Sequence, residues 1–200
     1  YIFSGVKKES LDLKNYILHL DNWIPQNILD DCLKQLRKNK TWQRHTYTTP
    51  QNFEHSSKNG EKELDICYGD DLPYRKEIMQ LIWKALEKYV VIENIGDSYF
   101  NSWKSFSNIR FNRYNKNQIM SKHCDHIHSL FTGEVRGIPI LSILGVLNDD
   151  YEGGEFIMFD DYEIKFKPGD VIVFPSVFLY PHLVKPVTKG TRYSFISWCC

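Results

Sequence analysis

The sequence predicts an α+β protein that is mainly β, with a double-stranded β-helix (jelly-roll) core and N-terminal helices packed on one sheet. Two observations support this class. Residues 1–101 include two stretches with apolar residues at helical spacing. From Ser102 onward the chain changes to short β-branched and aromatic runs, roughly 8 to 12 residues apart, which Gly, Pro, Asn and Asp separate.

The length and composition indicate one domain. The chain has 200 residues, of which 42% are hydrophobic and 14% aromatic, enough to bury a sizeable core. No repeat or low-complexity linker divides it. We therefore expect a single domain over residues 1–200, in which residues 1–101 form helical and loop support and residues 102–200 form the jelly-roll core.

Charge, hydropathy and cysteine content exclude several classes of partner. The 25 basic and 25 acidic side chains cancel, so neither a nucleic-acid partner nor a polybasic membrane anchor is expected. No apolar run approaches the roughly 18 residues of a membrane span, and residues 1–10 lack the apolar core of a signal peptide. The five cysteines form no CxxC pair, which favours free thiols. We expect a soluble cytoplasmic protein, whose oligomeric state the sequence does not indicate.

Four segments organise the N-terminal half. Residues 16–23 are strand-like, whereas residues 41–71 are polar without a clean period and predict a long loop. Pro25 opens one amphipathic helix, and residues 71–91 predict a second with Pro73 near its first turn. The apolar stripes are Ile28, Leu29, Cys32, Leu33 and Leu36 in the first helix, and Ile78, Leu81, Ile82, Ala85, Leu86 and Tyr89 in the second.

The C-terminal half consists of predicted strands. Turn-forming stretches such as NDDYEGG and KPGD separate them. The strands are predicted in the runs FSNIRFNRY, IPILSILGVLN, GGEFIMF, YEIKFK, DVIVFP, HLVKPV and RYSFISW.

His123 and Asp125, in the run KHCDHIH, form one part of a predicted metal site. On a strand, residues two apart point to the same face, so these side chains would project together while Cys124 points away. The third predicted ligand is His182, at the start of the apolar run HLVKPV. Two imidazoles and one carboxylate leave three positions open, as ferrous iron requires in oxygenases.

Two further histidines leave alternatives open at this motif. An HxD pair is common, and on its own it is more often not a metal site. His126 and His128 lie beside it and could be ligands, substrate contacts or polar strand residues. Because both would face away from Asp125 on a regular strand, His123 is the favoured ligand.

Arg192 and Ser194, in the run RYSFISW, form a second predicted binding feature. Alternation puts both side chains on one face, where the planar guanidinium can bind a carboxylate in bidentate fashion and Ser194 can add a hydrogen bond. The alternative is a surface arginine paired with an acid. With the metal motif upstream, we favour a carboxylate clamp that faces into the barrel.

Three stretches carry a family resemblance over roughly residues 109–198: RFNRYNKNQIMSKHCD, ILGVLNDDYEGGEFIMF and KPGDVIVFPSVFLYPHLVKPVTKGTRYSFISW. They resemble, in order, the first core strand, the Gly-Gly-Glu strand and the distal histidine region of the Fe(II)- and 2-oxoglutarate-dependent dioxygenases, prolyl 4-hydroxylase-like branch. The matching positions are Tyr114, Gln118, His123, Gly153, Gly154, Glu155, His182, Pro186, Val187, Gly190, Arg192 and Trp198.

Three features depart from the family pattern. Cys124 and His126 crowd the metal motif. Arg192 stands where many peptidyl-prolyl hydroxylases of this branch carry lysine, and LDICYGDDL does not show the arginine-serine segment that precedes their barrel. Because either base can bind a carboxylate, these departures concern the substrate rather than the iron and cosubstrate sites.

The resemblance implies Fe(II), 2-oxoglutarate and O₂, with ascorbate as an added reductant. His123, Asp125 and His182 would be the catalytic metal ligands. 2-Oxoglutarate would bind the iron through its keto acid end, while its far carboxylate meets Arg192 with help from Ser194 and Tyr114. Trp198 is either a substrate residue or an aromatic at the barrel end.

The reaction implied is hydroxylation of a C–H bond, with release of succinate and CO₂. The favoured substrate is a prolyl residue in a peptide or protein. One alternative substrate is a free amino acid or other small molecule. A non-enzymatic alternative is a jelly roll that binds a metal or a 2-oxoacid without turnover. The polar loop around Gln51 to Glu61, within residues 44–71, is a candidate for shaping the substrate entrance.

Overall fold

The computed structural model describes residues 12–48, 54–55, 62–68, 74–92, 106–125 and 139–199. In these ranges no helix is both long and apolar enough to cross a membrane. The helices are a 3₁₀ turn at Leu13–Tyr16, α1 at Gln26–Lys38 and α2 at Arg75–Ile92. The strands are β1 Leu18–Leu20, β2 Gln43–Arg44, β3 Tyr47–Thr48, β4 Glu54–His55, β5 Lys62–Glu63, β6 Asp65–Tyr68, β7 Arg110–Tyr114, β8 Gln118–His123, β9 Leu141–Val146, β10 Tyr151–Gly153, β11 Phe156–Met158, β12 Tyr162–Ile164, β13 Val171–Pro175, β14 His182–Val184, β15 Val187–Gly190 and β16 Arg192–Cys199.

Two main sheets form the core of the fold. A seven-stranded antiparallel sheet has the order β1-β13-β9-β16-β7-β6-β2, and a five-stranded sheet has the order β12-β11-β14-β8-β5. All pairs in the second sheet are antiparallel except β5 with β8. The predicted class, mainly β with a jelly-roll core, is confirmed.

The two helices pack on one face of the seven-stranded sheet, as predicted. The outer core cluster combines buried residues of both helices with residues from every second position of the sheet strands. Its members include Ile28, Leu29, Cys32 and Leu36 of α1, Ile78, Ile82, Ala85, Leu86 and Tyr89 of α2, and Phe111, Ile143, Val171, Val173 and Phe195 of the sheet.

The opposite face of the same sheet lines the interior between the two sheets. Leu144 and Ile196 are one residue removed from Ile143 and Phe195, and they belong to the inner cluster. Phe156 and Val184 of the five-stranded sheet belong to the same cluster. Because adjacent strand residues alternate in direction, the strands of this sheet separate a helix-facing core from an interior face that can carry a site.

The prediction of a long loop over residues 41–71 is wrong for part of that segment. β6 lies between β7 and β2 in the seven-stranded sheet. Its first residue, Asp65, accepts hydrogen bonds from Arg113 (3.0 Å) and Gln118 (3.2 Å). Backbone pairing and these polar contacts hold β6 in place, rather than a long apolar face. For this reason the sequence shows no apolar period that would have predicted the strand.

The stretch RFNRYNKNQIMSKHCD forms two strands rather than one. β7 belongs to the seven-stranded sheet and β8 to the five-stranded sheet. The connection passes through Asn117, which has a positive φ of 65°. Asparagine tolerates this conformation better than most residues, so the chain can cross from one sheet to the other within three residues. Pro73, predicted near the start of α2, lies outside the described residues.

We predict that Gly145→Ala lowers the free energy of unfolding by about 1–3 kcal/mol, the usual cost of overpacking. The Phe195 ring fills the space that a Cβ at Gly145 would occupy. Urea denaturation measures the change. In the double variant Gly145→Ala/Phe195→Leu, the loss of unfolding free energy should be smaller than the sum of the two single-variant losses. The smaller leucine side chain leaves room for the methyl group. A Gly145→Ala protein as stable as the wild type would contradict this packing.

Candidate metal and 2-oxoacid site

His123, Asp125 and His182 meet at the end of the β8–β14 pair. His123 is the last residue of β8, His182 is the first residue of β14, and their Cα atoms are direct partners in the antiparallel register. The two ring centroids are 4.4 Å apart. One ligand atom from each of the three residues lies within 4.8 Å of the others, which is close enough for a single cation to contact all three.

The predicted reason for the placement of Asp125 is wrong, although the residue lies where it was expected. β8 ends at His123, and Asp125 follows in a bend, so strand alternation does not aim its carboxylate. Instead, Ser142 of β9 donates a hydrogen bond of 2.6 Å to Oδ2 of Asp125, and the Ser142 hydroxyl also contacts that of Ser176 at 2.7 Å. Cys124 takes no part, since its thiol donates to the carbonyl of Phe178 at 3.3 Å.

Hydrogen bonds at the far side of each ring fix the orientation of both imidazoles. Nδ1 of His123 lies 2.8 Å from the carbonyl of Ser121, and Nδ1 of His182 lies 3.1 Å from the carbonyl of Tyr180. A carbonyl only accepts, so in the neutral rings the proton sits on Nδ1 and the Nε2 lone pair is free. Metal-binding histidines are commonly held in this way.

The Nε2 atoms face the carboxylate of Asp125. Oδ1 lies 3.3 Å from Nε2 of His123 and 3.6 Å from Nε2 of His182. Nε2 of His182 is buried and has no hydrogen-bond partner. Two lone pairs aimed at a carboxylate repel it unless a cation lies between them, so the three residues fit a divalent metal.

The protonation states suit a metal ligand set. Burial lowers the pKa of His182 to about 4, so its ring is neutral near pH 7. Burial on its own raises the pKa of Asp125, but the nearby His182 and His123 and the hydrogen bond from Ser142 outweigh it, and the net pKa lies below its usual range. Asp125 is therefore a carboxylate and His182 a neutral imidazole, the forms that bind a metal.

Arg192, Ser194 and Tyr114 lie together on the interior face. Arg192 is the Cα partner of Tyr114 across β16 and β7, and its guanidinium carbon lies 5.0 Å from the centre of the Tyr114 ring. Nη1 donates to Ser194 at 3.1 Å, whereas Nε and Nη2 are buried without a partner. Within the described ranges no carboxylate lies within 4.0 Å of this guanidinium. A buried cation with unused donors fits an acidic ligand such as the far carboxylate of 2-oxoglutarate.

Gly154 makes room for the Arg192 stem. A Cβ at Gly154 would lie 3.2 Å from Cδ of Arg192, and the φ of Gly154 is +68°. Both the backbone conformation and the close approach favour glycine at this position. The second glycine of the Gly-Gly-Glu stretch thus borders the predicted clamp.

Trp198 lies beside the metal triad. It is the Cα partner of Ser142, the residue that binds Asp125, and its buried indole Nε1 has no hydrogen-bond partner. The position is compatible with either predicted role, a substrate contact or an aromatic at the barrel end. His126 and His128, the alternative ligands, lie outside the described residues.

Sequence reasoning missed Arg110, Asn112, His45 and Tyr47. Arg110 and Asn112 alternate with Phe111 on β7, so polar residues at every second position of a buried strand were the available signal. His45 and Tyr47 come from the segment predicted as a loop. The Tyr47 ring lies 5.5 Å from that of His123 and 4.7 Å from that of His45. Burial lowers the pKa of His45 to about 3.

A second group of potential ligands consists of His19, Asp21 and Asp170. Asp170 is already occupied, since it accepts hydrogen bonds from the backbone of Asn22 and of Lys167, both at 2.8 Å, and contacts His19 at 3.1 Å. His19 and Asp21 are exposed. This group connects β1 with the turn before β13. It differs from the triad, in which Nε2 of His182 is buried and unpaired.

Comparison with known proteins agrees with this geometry. Residues 109–200 match the family described as the 2OG-Fe(II) oxygenase superfamily. A PKHD-type hydroxylase of Xylella fastidiosa is 33% identical over 145 residues, which cover 63% of this chain and 56% of the relative. The chain thus spans about half the length of the curated relatives it matches.

Solved structures of prolyl hydroxylases share the fold. A prolyl-4-hydroxylase of Pseudomonas putida superposes with a TM-score of 0.64 at 17% identity, over 92% of this chain and 91% of that one. A Trichoplax adhaerens prolyl hydroxylase, solved with a peptide fragment of the hypoxia inducible factor oxygen degradation domain, gives 0.65 at 18% identity, over 92% and 83%. In its matching residues, its fold and its buried HxD and histidine triad, the C-terminal half of this chain is similar to the 2OG-Fe(II) oxygenase superfamily.

Proposed function

We propose that this protein is an Fe(II)- and 2-oxoglutarate-dependent hydroxylase. The observation that carries the proposal is the set of unused buried polar atoms on one interior: Nε2 of His182 at the triad, and Nε and Nη2 of Arg192 on the sheet opposite. Buried polar groups without partners are costly, and a metal and a dicarboxylate would satisfy them together.

In this proposal His123, Asp125 and His182 hold the iron. When bound, the iron supplies the redox chemistry that couples decarboxylation of 2-oxoglutarate by O₂, giving succinate and CO₂, to insertion of one oxygen atom into a substrate C–H bond. Arg192, Ser194 and the Tyr114 hydroxyl would bind the far carboxylate and orient the cosubstrate. The apolar walls around them exclude water from the reaction.

The proposed substrate is a prolyl residue in a peptide or protein. Support comes from two structural neighbours that are prolyl hydroxylases, one of them solved with a peptide fragment. Cys32, Cys67 and Cys124 are free thiols, which fits a reducing, cytoplasmic setting.

Succinate formation tests the function. Iron-reconstituted protein is supplied with 2-oxoglutarate, ascorbate and O₂, alongside a panel of proline-containing peptides, free proline and no substrate. Succinate that a peptide stimulates, with a matching gain of one oxygen on proline, is the expected result. No succinate under any condition would contradict the enzyme and favour a binding-only protein.

We predict that His123→Ala or Asp125→Ala lowers Fe(II) affinity by more than about 100-fold, beyond the loss typical of an outer-shell partner. Anaerobic calorimetry measures the affinity. Cys124→Ala is the matched control, because the residue lies between the two ligands but bonds to Phe178 instead. Full affinity in the His123 or Asp125 variants would refute the assigned triad.

We predict that Arg192→Ala weakens 2-oxoglutarate binding by about 1.5–3 kcal/mol, the range for hydrogen bonds to charged groups. The matched control is Lys189→Ala, since Lys189 is an exposed cation that pairs with Glu152. Titration of the metal-loaded protein under anaerobic conditions gives both affinities. Equal affinities for wild type and Arg192→Ala would exclude the clamp.

We predict that the metal-free protein loses stability as the pH falls from about 6.5 to about 4. In this window the unfolded state protonates His182, but the folded state, with its pKa lowered to about 4, does not. The slope from this residue is at most about 1.4 kcal/mol per pH unit.

Urea denaturation across this range compares wild type with His182→Gln. The variant should show a flatter pH dependence, since it lacks this proton-binding difference. His45 contributes equally to both proteins. Identical slopes would show that His182 is not held as a buried neutral imidazole.

A further inference from the structure

Arg110 places a second cation on the interior face. It is the first residue of β7, its Cα partner on β16 is Ile196, and it is 8% exposed. Asn112 and Tyr114, two and four residues further along the strand, are 0% exposed. Since residues two apart share a face, all three point between the sheets.

The guanidinium of Arg110 forms no ion pair in the described part of the chain. Its Nε donates to Oδ1 of Asn112 at 3.2 Å, and its central carbon lies 4.9 Å from the centre of the Trp198 ring. No described carboxylate lies within 4.0 Å of it. The contrast is Arg113 on the same strand, which forms an ion pair with Asp65 at 3.0 Å. A buried cation that meets only an amide oxygen and an indole face lacks its usual compensation.

Arg110 is next to the metal triad. Trp198, on which it stacks, is the Cα partner of Ser142, and Ser142 binds Asp125. Asp125 cannot serve as the missing anion, because its two oxygens face Ser142 and the two histidines. An anion bound by Arg110 would therefore lie close to the reacting centre.

Two unpaired polar atoms beside Arg110 are donors. Nδ2 of Asn112 and Nε1 of Trp198 are buried without partners, and both carry hydrogen. Together with the guanidinium they form a group that offers hydrogen bonds and accepts none. A carboxylate only accepts, so it matches this group, whereas a neutral amide would bring its own N–H groups and leave them unpaired.

The carboxylates of 2-oxoglutarate are already assigned in the proposed function, one to the metal and one to Arg192. Along the sheet, Arg110 lies opposite Ile196, four residues or about 13 Å from Arg192. We propose that Arg110, with Asn112 and Trp198, binds a carboxylate of the primary substrate, so that the substrate carries an acidic group close to the hydroxylated C–H bond. This inference rests on the proposed function and narrows its substrate class.

The carboxylate can be the terminus of a free amino acid or peptide, or an acidic side chain beside a proline. Matched pairs of probes distinguish these sources: the twenty free amino acids and N-acetylproline with their amides, and acetyl-Asp-Pro-amide and acetyl-Pro-Asp-amide with their Asn counterparts. Calorimetry on the full chain, loaded with Zn(II) and 2-oxoglutarate, measures binding without turnover. We expect at least one acid to bind about tenfold or more tightly than its neutral partner.

Variants then assign the effect to Arg110. Arg110→Gln should reduce the affinity for that acid about tenfold and leave the affinity for its neutral partner within about threefold, whereas Arg110→Lys should retain part of the preference. Lys116→Gln is the control, because it also removes one positive charge, but from the exposed turn between β7 and β8.

Three results would overturn the proposal. The first is that no acid binds better than its neutral partner in the wild type, a comparison that requires no variant to fold. The second is an unchanged acid preference in Arg110→Gln. The third is a loss of 2-oxoglutarate affinity in Arg110→Gln as large as in Arg192→Ala. That result would mean that Arg110 binds the cosubstrate and not the primary substrate. Failure of the hydroxylase function itself would appear separately, as absence of succinate despite selective acid binding.

Discussion

The register of β16 between β7 and β9 is the constraint on which the site depends. It places Arg192 opposite Tyr114, Ser194 opposite Asn112, and Trp198 opposite Ser142. Because side chains alternate between faces, a slip of one residue would turn the interior polar residues toward the helices and the helix-facing Phe195 toward the site. The apolar contacts of the outer face, including the Phe195 ring against Gly145, thus hold the register that aims the polar residues of the inner face.

The interior is unusual for a protein core, because it contains buried donors and lone pairs with no partner. Those of His182, Arg192, Asn112 and Trp198 lie on strands that face the space between the sheets, whereas Trp42, His45 and Arg113 supply the others in the described ranges. Such groups reduce stability unless a ligand satisfies them, so their concentration in one place is better explained by binding than by folding. The apolar cluster around Phe156 and Ile172 and the helix-covered outer face provide the stabilisation that offsets this cost.

Much of the fold and the grouping of the candidate site residues could be predicted from sequence, because strand alternation and the family motifs are local. His123, His182, Arg192 and Ser194 are placed by their strands as expected. Asp125 needed the tertiary hydrogen bond from Ser142, and β6 needed its partner β7, neither of which a local pattern reveals. The alternation of Arg110, Asn112 and Tyr114 with Phe111 was visible, but only the pairing with β16 shows that the polar face points inward.

The most direct test of this account is a crystal structure of the protein grown anaerobically with Fe(II) and 2-oxoglutarate, with an anomalous map recorded at the iron edge. We predict one strong peak in contact with His123, Asp125 and His182, and density for 2-oxoglutarate that ends on Arg192 and Ser194. An iron peak at the His19 and Asp170 group instead, or a cosubstrate carboxylate seated on Arg110 with Arg192 left unpaired, would contradict the assignment of the site.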